Sequence, residues 1–258
     1  DNMMYQAKSD GKDQVRIAQE EDVTAVYREL GEKSAVVLEA LESRRVVPYF
    51  QPIVAADGRI HAYEVLSRIH TAVGELMVAG EFIEAAERMG VVHRLDFLAM
   101  EAAFERLAGF PEGVELFINL SPKALILSEF MPTVKRLLLA HAIDPARIVF
   151  ELTERETVKN ISLLQRFVED LKLEGFKFAI DDFGSGFSSF HYLKRFPVDY
   201  LKIDGDFIVN LAADSRDQAF VQSMAWLARE LGITTVAEFV ETEEVLERAR
   251  TAGVDLMQ

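Results

Sequence analysis

The chain has 258 residues, half of them hydrophobic, which allows a sizeable core in one large domain or two small ones and excludes disorder as the main state. Its 28 Lys and Arg face 43 Asp and Glu, a formal net charge of −15, which argues against a general binder of DNA or RNA polymers, since that needs a basic face. An anionic ligand would need something other than the overall field to hold it, and a bound cation is the obvious candidate.

Cys is absent, so there is no disulfide framework, zinc-thiolate site or thiol nucleophile, and a cytoplasmic location fits. The start, Asp1-Asn2-Met3-Met4, lacks the basic and apolar regions of a signal peptide and reads as part of a longer chain. No apolar run is long enough to span a bilayer; even the 95–110 stretch carries Asp96, Glu101, Glu105 and Arg106. No membrane contact is expected in this segment.

In chain order, residues 1–46 are polar, with helical spacing at Val23, Val26, Tyr27, Leu30 and again at Val36, Val37, Leu38, Leu41, interrupted by Gly11 and Gly31. Residues 15–46 read as a helical linker. From Val47 the texture changes to short β-rich runs: Val47–Val54, Ile60–Leu66, Glu115–Leu120, Arg147–Leu152, Phe176–Asp181, Asp199–Ile203, Ile233–Glu238 and Val254–Met257. Helical segments such as Gly80–Met89, Glu129–Ala142, Ile161–Glu174, Gln218–Leu231 and Thr242–Ala252 lie between most of them. Strands alternating with helices in this number predict an α/β fold closed as a (β/α)8 TIM-like barrel. The first two runs are separated only by Ala55-Ala56-Asp57-Gly58-Arg59. So short a link joins only antiparallel neighbours, because a parallel crossover needs a dozen residues or more, and the first strand is expected to run against the rest.

Oxygen-bearing side chains recur where these runs end: Glu64, Asn119, Glu151, Asp181 with Asp182, Asp204 after Lys202, Glu238 and Gln258. The first run enters that face from the other direction, which places Gln51 there too. One Asp or Asn at a strand end is ordinarily a helix cap or turn residue. Capping does not explain why Val149-Phe150-Glu151, Phe178-Ala179-Ile180-Asp181 and Thr235-Val236-Ala237-Glu238 each close an apolar run with a carboxylate. In a barrel these ends converge on one face, and converging carboxylates repel unless cations hold them. Hard oxygen ligands without His or Cys point to Mg or Mn rather than zinc. The five His form no metal-binding spacing, and no phosphate-binding glycine loop occurs.

Residues 47–258 resemble the EAL family of cyclic di-GMP phosphodiesterases. The motifs, in order, are Tyr49-Phe50-Gln51-Pro52-Ile53, Tyr63-Glu64-Val65-Leu66-Ser67-Arg68, Phe117-Ile118-Asn119-Leu120-Ser121, Phe150-Glu151-Leu152-Thr153-Glu154, the run Asp181–Ser189, Leu201-Lys202-Ile203-Asp204, Ala237-Glu238-Phe239-Val240-Glu241 and the final Gln258. Residues 3–13 resemble the end of a GGDEF diguanylate cyclase domain, which makes 1–14 the remnant of such a domain.

The resemblance implies metal-dependent hydrolysis of cyclic di-GMP to linear pGpG at a two-ion site. Glu64, Asn119, Glu151 and Asp181 would hold one ion, and Asp181, Asp182 and Glu238 the other. It also places Glu64, Glu238, Lys202 and Glu154 in the catalytic machinery. Lys202 would orient or help deprotonate a water, or stabilise phosphate charge; Glu154 would anchor the Asp182–Ser189 loop. Gln51, Leu66, Arg68 and Gln258 match substrate-contacting positions, and a homodimer is implied by analogy. Val65 (for the Ala of the family's name motif), Ser67, Ser185 and Phe239 depart from the pattern; Phe239, where Gly is usual, puts bulk beside Glu238. A receptor that binds the nucleotide without cleaving it is the competing expectation.

Overall fold

The computed structural model describes residues 20–121, 127–155, 161–185, 193 and 196–258. The proposed 1–14 remnant and the Gly186–Ser189 part of the loop lie outside the described residues.

A long helix, α1 (Glu20–Glu42), leads into a hairpin of β1 (Val46–Ala55) and β2 (Ile60–His70). The Asp-Gly link turns as expected: Gly58 takes φ +81°, and the Asp57 carboxylate accepts the Arg59 amide at 3.1 Å. A short β3 (Leu76–Val78) and helices α2 (Ala79–Met89) and α3 (Val92–Leu107) follow. Then come β4 (Glu115–Asn119), α4 (Phe130–His141), β5 (Ile148–Thr153), α5 (Ile161–Leu173), β6 (Lys177–Phe183) and β7 (Tyr200–Ile203). The chain ends with α6 (Gly205–Ile208), α7 (Ser215–Glu230), β8 (Thr234–Ala237), α8 (Glu243–Ala252) and β9 (Leu256–Met257).

The sheet order is β1-β9-β8-β7-β6-β5-β4-β2-β3, and the additional β1–β2 pairing closes the ring, with β3 hanging outside on β2. β1 is antiparallel to both of its ring neighbours, β2 and β9, while every other ring pairing is parallel. The expected barrel with one reversed strand is what forms. β3 leaves no pattern in the sequence, because three residues after the Gly74 turn are too few to show alternation.

Strand alternation stacks the inside of the ring in layers. Ile53, Ala62, Phe117, Val149, Ala179, Tyr200, Val236 and Leu256 pack as one apolar layer across the interior. Moving two residues towards the carboxyl end from the last seven of these gives Glu64, Asn119, Glu151, Asp181, Lys202, Glu238 and Gln258. On reversed β1 the same layer is reached by moving two residues back from Ile53 to Gln51, which pairs across from Glu64. The apolar layer is thus a floor, and the polar set stands on it. Outside the ring, the other strand faces pack with the helices in the main core, which includes Phe104, Phe130, Phe150, Phe176 and Phe178.

A second core lies where α1 meets the barrel. Val37, Ala40 and Leu41 are buried with Val46, Ile69, Phe82 and Leu95. The helix runs unbroken through Gly31, which the spacing marked as an interruption, and its last turns are held by packing.

Candidate active site

The layer above the floor gathers around one ammonium group. Lys202 is fully buried, and its Nζ lies 2.9 Å from Glu238 Oε1, 3.0 Å from Asp181 Oδ1, 3.1 Å from Glu64 Oε2 and 3.4 Å from Glu151 Oε2. These five residues come from β2, β5, β6, β7 and the residue after β8, so only closure of the ring brings them together. Glu64 is held from two further sides: Asn119 Nδ2 donates to its Oε1 at 2.9 Å, and Gln258 Nε2 donates to its Oε2 at 2.5 Å.

Asp181 and Asp182 are sequence neighbours, and simple alternation would send them to opposite faces. The β6–β7 register shifts between Ile180 and Phe183, and Asp182 takes a left-handed φ of +52°. This irregularity turns both carboxylates inward, so that oxygens of Asp181, Asp182 and Glu238 all lie within 4.8 Å of one another.

Burial and crowding set the protonation of this ring. Burial pushes the Glu64 pKa up, but the Lys202 charge and the hydrogen bonds from Gln258, Lys202 and Asn119 outweigh it and leave it lowered. Glu151 is raised well above the usual range by burial, only partly relieved by Lys202 and reinforced by the other acids. Burial also raises Glu238, to about 7, against the pull of Lys202. Asp182 is raised by burial and by the charges of Asp181 and Asp204. For Lys202, burial favours the neutral amine, yet Glu151, Asp181, Glu64 and Glu238 together reverse this and raise it.

The donor set fits hard divalent cations. Glu151 is fully buried, and neither of its oxygens receives a hydrogen bond among the described residues; the same holds for Gln258 Oε1. Unsatisfied carboxylate lone pairs beside like charges are what an oxygen-ligated cation satisfies. The acidic cluster can hold a metal.

Around this ring, Glu154 is buried at the end of β5 and accepts the Gly184 amide through Oε2 at 2.9 Å, tying down the described start of the loop. Arg68 lies two residues beyond Leu66 on the Glu64 face of β2, with its guanidinium 5.7 Å over the Tyr49 ring and Nη1 donating to the Ser67 carbonyl at 3.0 Å. Leu66 and Asn119 line a cleft of about 290 Å³ with Phe82, Leu95 and Asp96. Gln51 is exposed, across from Glu64 on the hairpin. Gln258 points inward to Glu64. Asp204 is no part of the ring, since its side chain caps α6 through the Asp206 amide at 2.8 Å. Phe207 packs over the start of this loop, where a Cβ on Gly184 would come 2.6 Å from its ring. Gly184 takes a φ of +106°, a conformation that favours glycine.

A model of the EAL domain matches residues 35–258. The chain belongs to the EAL-domain family. It is 35% identical over 258 residues to cyclic di-GMP phosphodiesterase PdeB of Shewanella oneidensis, covering 98% of this chain and 30% of that protein. It is 34% identical over 240 residues to cyclic di-GMP phosphodiesterase PdeF of Escherichia coli, covering 90% and 32%. The chain spans about a third of the length of the curated relatives it matches. Among solved EAL structures, the MucR phosphodiesterase in complex with cyclic di-GMP superposes with a TM-score of 0.82 at 32% identity, covering 88% of this chain and 94% of that one. The FimX EAL domain of Pseudomonas aeruginosa bound to cyclic di-GMP gives 0.82 at 27% identity, covering 88% and 93%. The EAL-domain match begins at residue 35, so it takes in the part of α1 that packs on the barrel.

Proposed function

We propose that this EAL domain hydrolyses cyclic di-GMP to linear pGpG with two Mg or Mn ions, in bacterial second-messenger signalling. The observation that carries the reading is the complete ring of Glu64, Asn119, Glu151, Asp181, Asp182 and Glu238 around Lys202 at the carboxyl ends of the strands. Relatives and structural neighbours that carry the phosphodiesterase name or bind the nucleotide support it.

Glu64, Asn119, Glu151 and Asp181 would hold one ion, and Asp181, Asp182 and Glu238 the second. Bound there, the pair would lower the pKa of a water and neutralise charge on the scissile phosphate. The protein's own groups do the rest. Asn119 and Gln258 aim Glu64 by hydrogen bonds from two sides. Lys202 brings the positive charge of the chain's own ring to the floor of the site, where it donates to an attacking oxygen or to phosphate and keeps the carboxylates from splaying. Glu154 holds the Gly184 end of the loop against β5. Arg68 offers a fork of donors suited to a phosphate or a guanine edge, and Gln51 and Leu66 would supply further substrate contacts.

The reading extends to organisation. Residues 1–14 are assigned to a GGDEF-like remnant, 15–46 to a helical linker, described from Glu20 on, and 47–258 to the EAL phosphodiesterase domain, working in the cytoplasm as a homodimer. No helix among the described residues is long and apolar enough to cross a membrane. On the outer part of α1, Tyr27 and Leu38 remain exposed and available to a second copy. Light scattering that gives one monomer mass at high concentration would contradict the dimer.

Incubation with cyclic di-GMP and magnesium, followed by chromatography, tests the activity. Linear pGpG is expected from the wild type and not from Glu64→Ala. Tight binding with no product would establish the receptor reading instead.

A further inference from the structure

Phe239 stands beside Glu238 with a backbone that suits glycine. Its φ is +55°, the left-handed region in which a Cβ crowds the following carbonyl. The turn is pinned on both sides: the Val240 amide donates to the Gln258 carbonyl at 2.8 Å, and the Gln258 amide donates to the Ala237 carbonyl at 2.8 Å. The backbone that fixes the direction of the ring is therefore the one that carries two members of the site, Glu238 and Gln258.

The ring lies on Gly205, where a Cβ would overlap its Cδ2 and stand 2.8 Å from Cε2. Gly205 follows Asp204 at the carboxyl end of β7, and Phe239 follows β8 at the same end, so the ring sits on the rim of the catalytic face. Despite that support the residue is 59% exposed. A phenylalanine left more than half open contributes little as core, and a strained backbone is an odd place to keep one for packing alone. Strain of this kind collects where function holds it.

We propose that Phe239 is a stacking platform for one guanine base of the cyclic dinucleotide, and so a specificity-determining residue. The inference rests on the phosphodiesterase reading above. With the phosphate over the ring of acids, the bases extend outward to the rim, where a flat apolar surface is already in place. Because the turn and Gly205 hold the ring before ligand arrives, stacking costs no side-chain ordering. A base stacked on an aromatic ring gains a factor of about ten or more in affinity.

The test compares wild type, Phe239→Gly, Phe239→Trp and Gly205→Ala in the 258-residue chain. Cyclic di-GMP binding is measured by calorimetry in calcium, and kcat and KM are measured in magnesium. In Phe239→Gly, Kd and KM are expected to rise about tenfold while kcat holds within about twofold, with a thermal midpoint no lower than wild type because glycine accepts the turn. Phe239→Trp should restore affinity, and Gly205→Ala, which displaces the ring, should weaken it. Wild-type Kd and KM in Phe239→Gly would overturn the proposal. So would a fall in kcat at constant KM, which would mean that the residue only positions Glu238, or a change in oligomeric mass without a change in affinity. A wild-type chain that binds no cyclic di-GMP would bring down the functional reading first, which tells the two failures apart.

Discussion

Gly184 donates its amide to Glu154 Oε2 at 2.9 Å, joining the end of β5 to the first turn after β6 across 30 residues of sequence. Asp182 lies two residues before that amide, so the hydrogen bond fixes the backbone from which a candidate ligand projects. Glu154→Ala is expected to lower kcat by about 10- to 100-fold, the usual effect of removing a group that orients a ligand, while manganese still binds. Wild-type turnover of this variant at saturating magnesium would contradict the anchoring role.

Lys202 is fully buried and balances four carboxylates. Its replacement by Met leaves those charges facing one another, and breaking a buried ion pair costs about 3–5 kcal/mol. The metal-free variant should therefore melt well below the metal-free wild type, and magnesium should raise its midpoint more than it raises that of wild type. Turnover should fall by about 100-fold or more. Equal midpoints without metal would show that Lys202 does not hold the ring.

The same crowding gives the metal-free protein a pH dependence of definite sign. Glu238 has its pKa raised from 4.5 to about 7 in the folded chain, mainly by burial, so the folded state binds this proton more tightly than the unfolded one. Stability is then lost as pH rises from about 4.5 through about 7. Glu151 and Asp182, raised for the same first cause, act in the same direction. The lowered Glu64 and the raised Lys202 act outside this window, below pH 4.5 and above pH 10.5. Thermal melts in a chelator should show the midpoint falling between pH 5 and pH 8, and saturating magnesium should flatten that slope. A midpoint that rises across the window in chelator would contradict the account.

Leu41 is buried with Phe82 and Leu95 where α1 closes on the barrel. Leu41→Ala should cost about 2–5 kcal/mol in denaturant unfolding. Removing residues 1–46 should destabilise the barrel far more than removing 1–34. Equal stability of the two truncations would mean that α1 is a linker alone.

Much of this was written locally. The five-residue Asp-Gly link dictated the reversed β1, and carboxylates closing apolar runs marked the catalytic face because alternation carries Val149 to Glu151 and Val236 to Glu238. What was not legible depends on contacts between distant residues. Val37, Ala40 and Leu41 show a helical stripe, but nothing nearby in sequence says that Ile69 and Phe82 cover it. The register shift in β6 that turns Asp181 and Asp182 to one side is a property of two strands. Lys202 was recognisable as part of a motif, yet its place between four acids exists only once the ring closes. Phe239 looked like a misfit beside Glu238, and only its left-handed backbone and its seat on Gly205 explain how it is accommodated.

The central claim is that acids scattered along the chain converge to hold divalent ions, and anomalous diffraction from crystals soaked in manganese tests it most directly. Two peaks are expected, one bounded by Glu64, Asn119, Glu151 and Asp181 and the other by Asp181, Asp182 and Glu238. A map with no peak at either position, and Lys202 still the sole positive partner of the four carboxylates, would contradict it.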